Sequence, residues 1–132
     1  MSKENYLMES EDEILRLELK TDIKFVEEQA LWAGLKPGMR VLDIGCGTGK
    51  TTSVLHKIVT SSGEVVGVDD SHKRLDYAKT NYEKKGVKFT CCNILKLDES
   101  LGKFDFIWVR FILEYFFGGF SRMRLMLKQP RI

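Results

Sequence analysis

Apolar residues in this chain fall into two alternating patterns, short continuous runs and helical stripes. Val41, Leu42 and Ile44 form a compact, mostly β-branched run that suits a strand buried in a parallel sheet. Glu64 to Val68, EVVGV, reads as a second strand, closed by Asp69. Val87 to Cys92 reads as a third, and Phe104 to Val109, FDFIWV, as a fourth. Between the first two runs, Thr48 to Val59 reads as a helix. Between the next two, Ser71 can cap a helix whose Leu75, Ala78 and Tyr82 share a face and which Gly86 ends.

The flanks follow the same logic. Ser10 with Glu13 is a capping-box pattern and predicts a helix through Lys20, after a frayed stretch at 1–9. Thr21 or Asp22 caps a second helix, with Ile23, Val26, Ala30 and Ala33 on one face and Gly34 at its end. Pro37-Gly38 turns the chain into the first strand. Residues 93–103 read as loop. Phe111 to Phe117 reads as a helix broken by Gly118-Gly119, and Phe120 to Lys128 as an amphipathic piece that ends at Pro130.

Strands that alternate with helices predict an α/β fold of three layers, a parallel sheet with helices on both faces. With 132 residues the chain makes a single domain, 1–132. N-terminal helices occupy 10–35 and the sheet core 40–128. There is no internal repeat and no low-complexity segment.

Composition narrows the function classes. At 43% hydrophobic and 30% charged the chain is neither disordered nor membranous, and no apolar run is long enough to cross a bilayer. The polar, acidic start MSKENYLMESEDE is not a secretory signal. A net charge of +2 makes no case for a nucleic-acid surface. The three cysteines, two of them adjacent as Cys91 and Cys92, lack metal-ligand spacing to His56 or His72, so no metal site is expected. Reduced cysteines fit a cytoplasmic protein.

The chemistry concentrates in Val41 to Lys50, VLDIGCGTGK. A strand, a glycine turn and a helix cradle a phosphate or carboxylate, because glycines admit a close ligand and the helix N-terminus offers unpaired N–H groups. A P-loop needs a glycine five residues before its Gly-Lys-Thr, and that position holds Ile44. A dinucleotide turn, GxGxxG, needs a small residue where Lys50 stands. What remains is Asp-x-Gly-x-Gly-x-Gly, from Asp43 through Gly45 and Gly47 to Gly49, with small Cys46 inside the loop. A carboxylate ahead of the loop suits a ligand that carries an ammonium group and repels a triphosphate. Asp69, twenty residues after Gly49 at the end of the second strand, can accept both hydroxyls of a ribose. Asp70 is adjacent, and only one of the pair can face that ribose.

The glycine motif resembles the first motif of the class I S-adenosylmethionine-dependent methyltransferases. That resemblance spans about residues 10–128. It implies a Rossmann-like sheet in strand order 3-2-1-4, the N-terminal part of a seven-stranded fold of order 3-2-1-4-5-7-6. It implies S-adenosylmethionine as cofactor, bound through Asp43, Gly45, Cys46, Gly47, Gly49, Asp69 or its neighbour Asp70, and Arg110. Asn93, where the family usually has Asp, keeps an acceptor for the adenine amino group, and Ile94 would lie on the purine face. FDFIWVRFILEY resembles the family's fourth motif, in which Asp105 is structural. Arg110, Glu114 and Tyr115 would then lie towards the methyl acceptor, with no catalytic residue assigned. In this family the N-terminal helices also roof the active site, which brings Arg16 or Trp32 into question; for both, packing on the sheet is the expectation.

LMLKQPRI resembles the Leu-Lys-Pro-Gly-Gly turn before the family's fifth strand, with Gln129 interrupting it and no Gly-Gly following. The sequence therefore predicts an apolar fourth strand without its fifth neighbour, and a homodimer through that edge. Three readings follow. The first is a methyltransferase acting on a small-molecule acceptor. The second is a non-catalytic S-adenosylmethionine-binding module or truncated remnant. The third is a P-loop nucleotide hydrolase.

Overall fold

In the computed structural model the residues described are 14–15, 22–93, 96–97, 99–109 and 126–128. They form α1 (Ile23–Trp32), β1 (Arg40–Ile44), α2 (Lys50–Val59), β2 (Glu64–Asp69), α3 (His72–Tyr82), β3 (Val87–Cys91) and β4 (Phe106–Val109), with a 3-10 turn at Glu99–Leu101. The four strands are parallel, in the order β3-β2-β1-β4. In register, Asp43 lies between Gly67 and Trp108, and Asp69 lies beside Cys91.

Burial distinguishes centre from edge. From their second residue on, β1 and β2 are buried at every position, as a strand covered on both faces must be. β3 alternates, with Val87 and Phe89 inside and Lys88 and Thr90 outside. β4 is half-buried throughout. On one face of the sheet, Val26 and Ala30 of α1 and Val54, Leu55 and Val59 of α2 pack on Val41 and Val65. Leu75 and Ala78 of α3 extend that layer over Val87 and Phe89. On the opposite face, Leu42, Ile44, Val66 and Val68 are covered by Leu97, Phe104 and the helical Met126.

The strand starts are tied together by Arg40. Its guanidinium donates to the carbonyls of Lys103 (2.8 Å) and Leu101 (3.0 Å), pairs with Glu64 (2.9 Å) and lies 4.1 Å from the centre of the Phe104 ring. Asp105 has the structural part expected of it. Its Oδ2 accepts the Arg40 backbone N–H at 2.8 Å, and its own N–H donates to the Arg40 carbonyl at 2.8 Å.

Several sequence expectations shift. β4 begins at Phe106, not Phe104, because the Asp105 side chain takes the Arg40 N–H that a regular ladder would use. Phe104 instead makes a single parallel bridge with Leu127, through Phe104 N–H to Met126 O and Lys128 N–H to Phe104 O, each 2.8 Å. α2 starts at Lys50 because Gly49 caps it with φ of 92°, which leaves Thr48 in the loop. α3 ends at Tyr82, and Lys84 to Val87 closes a tight turn with Gly86 at φ of 88°. β3 ends at Cys91.

Asp22, one of the two candidate caps, caps α1 through the Phe25 N–H at 3.1 Å. The buried face of α1 is narrower than its periodicity suggests: Val26 and Ala30 are buried, while Ile23 and Ala33 are exposed. Trp32 does not pack on the sheet. It is 88% exposed, at the rim of a groove between the helix and β4. The helices expected at 10–20 and 111–117 lie outside the described residues, apart from helical Ile14 and Leu15. Of the Phe120–Lys128 piece only 126–128 are described, as are neither Arg16, Glu114 nor Tyr115.

Candidate cofactor site

The carboxyl ends of β1 and β2 and the turns that follow them bring the glycine motif and Asp69 together. Gly45 N–H and Cys46 N–H both donate to the Val68 carbonyl, at 2.8 and 3.0 Å. Gly47 N–H donates to Asp69 Oδ2 at 2.9 Å. The loop is thus stitched to the end of the neighbouring strand by three consecutive backbone donors. Gly45, Gly47 and Gly49 have φ of 73°, 57° and 92°, a region that side chains rarely enter.

The loop also rests on a floor. A Cβ on Gly49 would come within 2.9 Å of Phe89 Cζ and 3.0 Å of Ala78 and Tyr82. A Cβ on Gly67 would meet Phe89 Cδ1 at 2.9 Å and Cys46 Sγ at 3.0 Å. The missing side chains let one phenyl ring reach both the start of α2 and the middle of β2. Cys46 is buried beside it, and burial pushes its thiol pKa up, with Asp43 and Asp69 adding to the effect. It is a neutral packing group.

Asp43 is 2% exposed, and its Oδ2 accepts the Thr52 hydroxyl at 2.6 Å. Burial pushes its pKa up to about 7; the Thr52 hydrogen bond opposes the rise and the Asp69 charge adds to it. Asp69 is 4% exposed. Its Oδ1 accepts Ser71 N–H at 2.9 Å and the Arg74 guanidinium at 3.0 and 3.3 Å. The Asp70 side chain is 62% exposed and 3.5 Å from Arg74.

Among the expected site residues, the structure brings Asp43, Gly45, Cys46, Gly47, Gly49, Asp69 and Asp70 to one edge of the sheet. Asn93 stands two residues beyond β3, exposed, its carbonyl accepting Lys96 N–H at 2.9 Å. The preceding Cys92 N–H donates to the Asp69 carbonyl at 3.0 Å, so Asn93 belongs to the same edge. Ile94 and Arg110 lie outside the described residues. Two participants were missed by the sequence. Thr52 is signalled only by its place in the first turn of α2, and Arg74 only by its place near the start of α3.

The donor set fits a nucleoside that carries an ammonium and a carboxylate. In such a fit the start of α2 would complement the carboxylate, Asp43 the ammonium and Asp69 the ribose. A separate apolar groove of about 300 Å³ runs between α1 and β4, lined by Phe25, Gln29, Trp32, Phe106 and Trp108. Among the described residues the buried indole Nε1 of Trp108 has no hydrogen-bond partner.

Known proteins share this arrangement. A protein-L-isoaspartate O-methyltransferase from Thermotoga maritima is 44% identical over 63 residues, covering 46% of this chain and 20% of the relative. A demethylmenaquinone methyltransferase from Staphylococcus aureus is 35% identical over 82 residues, covering 61% of this chain and 34% of the relative. The chain therefore spans between a fifth and about a third of the length of these curated relatives. A TehB-like S-adenosylmethionine-dependent methyltransferase from Corynebacterium glutamicum superposes with a TM-score of 0.72 at 22% identity, over 91% of this chain and 67% of that one. The family described as "Methyltransferase domain" matches residues 35–129, a span that takes in all four strands together with Asp43 and Asp69. By fold and by sequence, the chain belongs to the class I S-adenosylmethionine-dependent methyltransferases.

Proposed function

We propose that this chain binds S-adenosylmethionine at the β1–β2 edge and takes part in methyl transfer to a small-molecule acceptor. The observation that carries this is the Gly47 N–H to Asp69 hydrogen bond, which makes the glycine loop and the ribose acceptor one unit. Asp43, Gly45, Cys46, Gly47, Gly49, Asp69, Asn93, Ile94 and Arg110 hold the cofactor. The start of α2 orients the methionyl end, and Asp69 fixes the ribose. The bound cofactor supplies an electrophilic sulfonium methyl. Residues of this chain then have to position it and keep water away, and no base is assigned.

A small acceptor is supported by the name of the Staphylococcus aureus relative, which methylates a demethylated menaquinone. Cytoplasmic residence fits three cysteines that form no disulfide among the described residues. Among the described residues no helix is long and apolar enough to cross a membrane. Self-association as a homodimer through β4 is supported by the apolar groove and exposed Trp32 beside that strand. Calorimetry tests the cofactor reading: S-adenosylmethionine and its demethylated product bind, and Mg-ATP does not. Tight Mg-ATP binding that Lys50→Ala abolishes, with no response to S-adenosylmethionine, overturns it.

A second reading is a binding module without activity of its own, since no catalytic base is assigned among the described residues. A methyl-transfer assay over a broad acceptor panel separates the two once cofactor binding is established.

A further inference from the structure

Asp69 already holds more donors than a ribose acceptor can keep. A carboxylate has about four lone-pair sites, two on each oxygen. Oδ1 takes Ser71 N–H together with Nε and Nη2 of Arg74, and Oδ2 takes Gly47 N–H. One site remains, on Oδ2. A ribose diol brings two donors, and bidentate acceptance needs one free site on each oxygen. One of the present donors has to leave Oδ1.

Only one of them can leave without moving the chain. Ser71 N–H belongs to the N-cap residue of α3, whose hydroxyl accepts the Arg74 backbone N–H at 3.3 Å. Arg74 approaches through its side chain, 24% exposed and long enough to swing. Its second acceptor is at hand. Asp70 Oδ1 lies 3.5 Å from Nη2 on a carboxylate that is 62% exposed.

We propose that Arg74 is a positioning residue that holds the ribose acceptor shut, and that nucleoside binding transfers its guanidinium from Asp69 to Asp70. This rests on the assignment of Asp69 to the cofactor ribose. Arg74 sets cofactor affinity without touching the cofactor, and the exposed Asp70 acts as the resting place of the displaced guanidinium. The adjacent acidic pair thereby has two different tasks. Asp69 receives the hydroxyls, and Asp70 makes Asp69 available.

The test is a double-mutant cycle on the full chain, read by calorimetry with the demethylated cofactor product, S-adenosylhomocysteine, with circular dichroism confirming each fold. Arg74→Gln tightens binding by about threefold or more, because the competent state no longer has to be drawn from a latched population. Asp70→Asn weakens binding when Arg74 is present and has no effect in the Arg74→Gln background. Adenosine gains affinity from Arg74→Gln, and 2′,3′-dideoxyadenosine does not, a contrast that a merely structural arginine would not produce. Arg74→Lys, a milder change, moves affinity in the same direction if Arg74→Gln fails to fold. Weaker or unchanged binding in the Arg74 variants, or an Asp70→Asn effect of equal size in both backgrounds, overturns the latch and leaves the cofactor assignment standing. No binding of S-adenosylhomocysteine to the wild type or any variant overturns the assignment and the latch with it.

Discussion

Asp43 and Thr52 share a 2.6 Å hydrogen bond at a point where almost no water reaches either side chain. Burial holds the Asp43 proton up to about pH 7, whereas an unfolded chain sheds it near the ordinary value of 3.8. Between those values the folded state binds more protons than the unfolded one, so this residue makes stability fall as pH rises. The loss is complete above pH 7 and is on the order of 4 kcal/mol. Asp43→Asn removes that slope, which denaturant midpoints between pH 4 and 8 will show. Thr52→Val takes away the bond that favours the charged form and moves the window upward. A ligand ammonium favours ionised Asp43, so cofactor affinity in the wild type increases as pH rises through 7 and loses this dependence in Asp43→Asn. A wild-type stability curve parallel to that of Asp43→Asn would contradict the protonated carboxyl.

His56 works in the opposite direction. It is 8% exposed, its Nε2 has no partner among the described residues, and a Cβ on Gly86 would lie 2.8 Å from that nitrogen. Burial, with Lys84 adding to it, holds its pKa below the ordinary 6.5. The unfolded chain therefore takes up a proton first, and stability is lost as pH falls below 6.5 towards the folded value. This limb is clearest in Asp43→Asn, where the opposing slope is absent. Adding His56→Leu there flattens the curve between pH 5 and 7. A persistent acid limb in the double variant would assign the effect to another group.

Asp69→Ala weakens cofactor binding by about 1–3 kcal/mol, the usual worth of charge-assisted hydrogen bonds. It also frees the Gly47 N–H from its acceptor. Asp70→Ala costs less, because that side chain is exposed and touches the site only through Arg74. Titration of both variants with S-adenosylhomocysteine ranks them, and a larger effect at Asp70 would reverse the assignment.

The two glycines over Phe89 differ in a way that mutation can read. Gly67→Ala lacks only space, so it destabilises by about 1–3 kcal/mol and Phe89→Leu relieves part of that loss. Gly49→Ala lacks space and also sits at φ of 92°, so Phe89→Leu does not rescue it. Chemical denaturation of the four variants gives the coupling. Equal rescue at both positions would show that backbone strain at Gly49 is unimportant.

Sedimentation at micromolar concentration tests self-association. Ile107 on β4 is half-buried beside the apolar groove, and Ile107→Lys places a charge in an edge that would pair with a second copy. The wild type sediments as a dimer and the variant as a monomer. A wild-type monomer of about 15 kDa that the substitution leaves unchanged rules the dimer out.

What the sequence made legible was local. The strand runs, the glycine spacing and Asp69 each announce themselves within a few residues, because buried parallel strands tolerate little polarity and tight loops tolerate few side chains. Asp22, Ser71 and Asp105 took their expected parts for the same reason. Arg74 was hidden because a long side chain near a helix start usually points to water, and nothing in its spacing says that it folds back onto Asp69. The exposure of Trp32 was hidden because a large aromatic residue reads as core until the helix face is known. The start of β4 was misjudged by two residues because one side-chain oxygen, on Asp105, substitutes for a backbone rung.

The placement of Phe89 bears on where entropy is lost. One ring forms the floor beneath Gly49 and Gly67, and the loop between them is sewn to Val68 and Asp69 by backbone donors. The conformational freedom of the loop is therefore surrendered when the sheet assembles, before any ligand arrives. A molecule entering this edge meets a surface that is already ordered, and its binding asks for little more than the reorientation of a side chain. Calorimetrically, such an encounter carries a small heat-capacity change for its size, without the larger signature of a chain that folds around its guest.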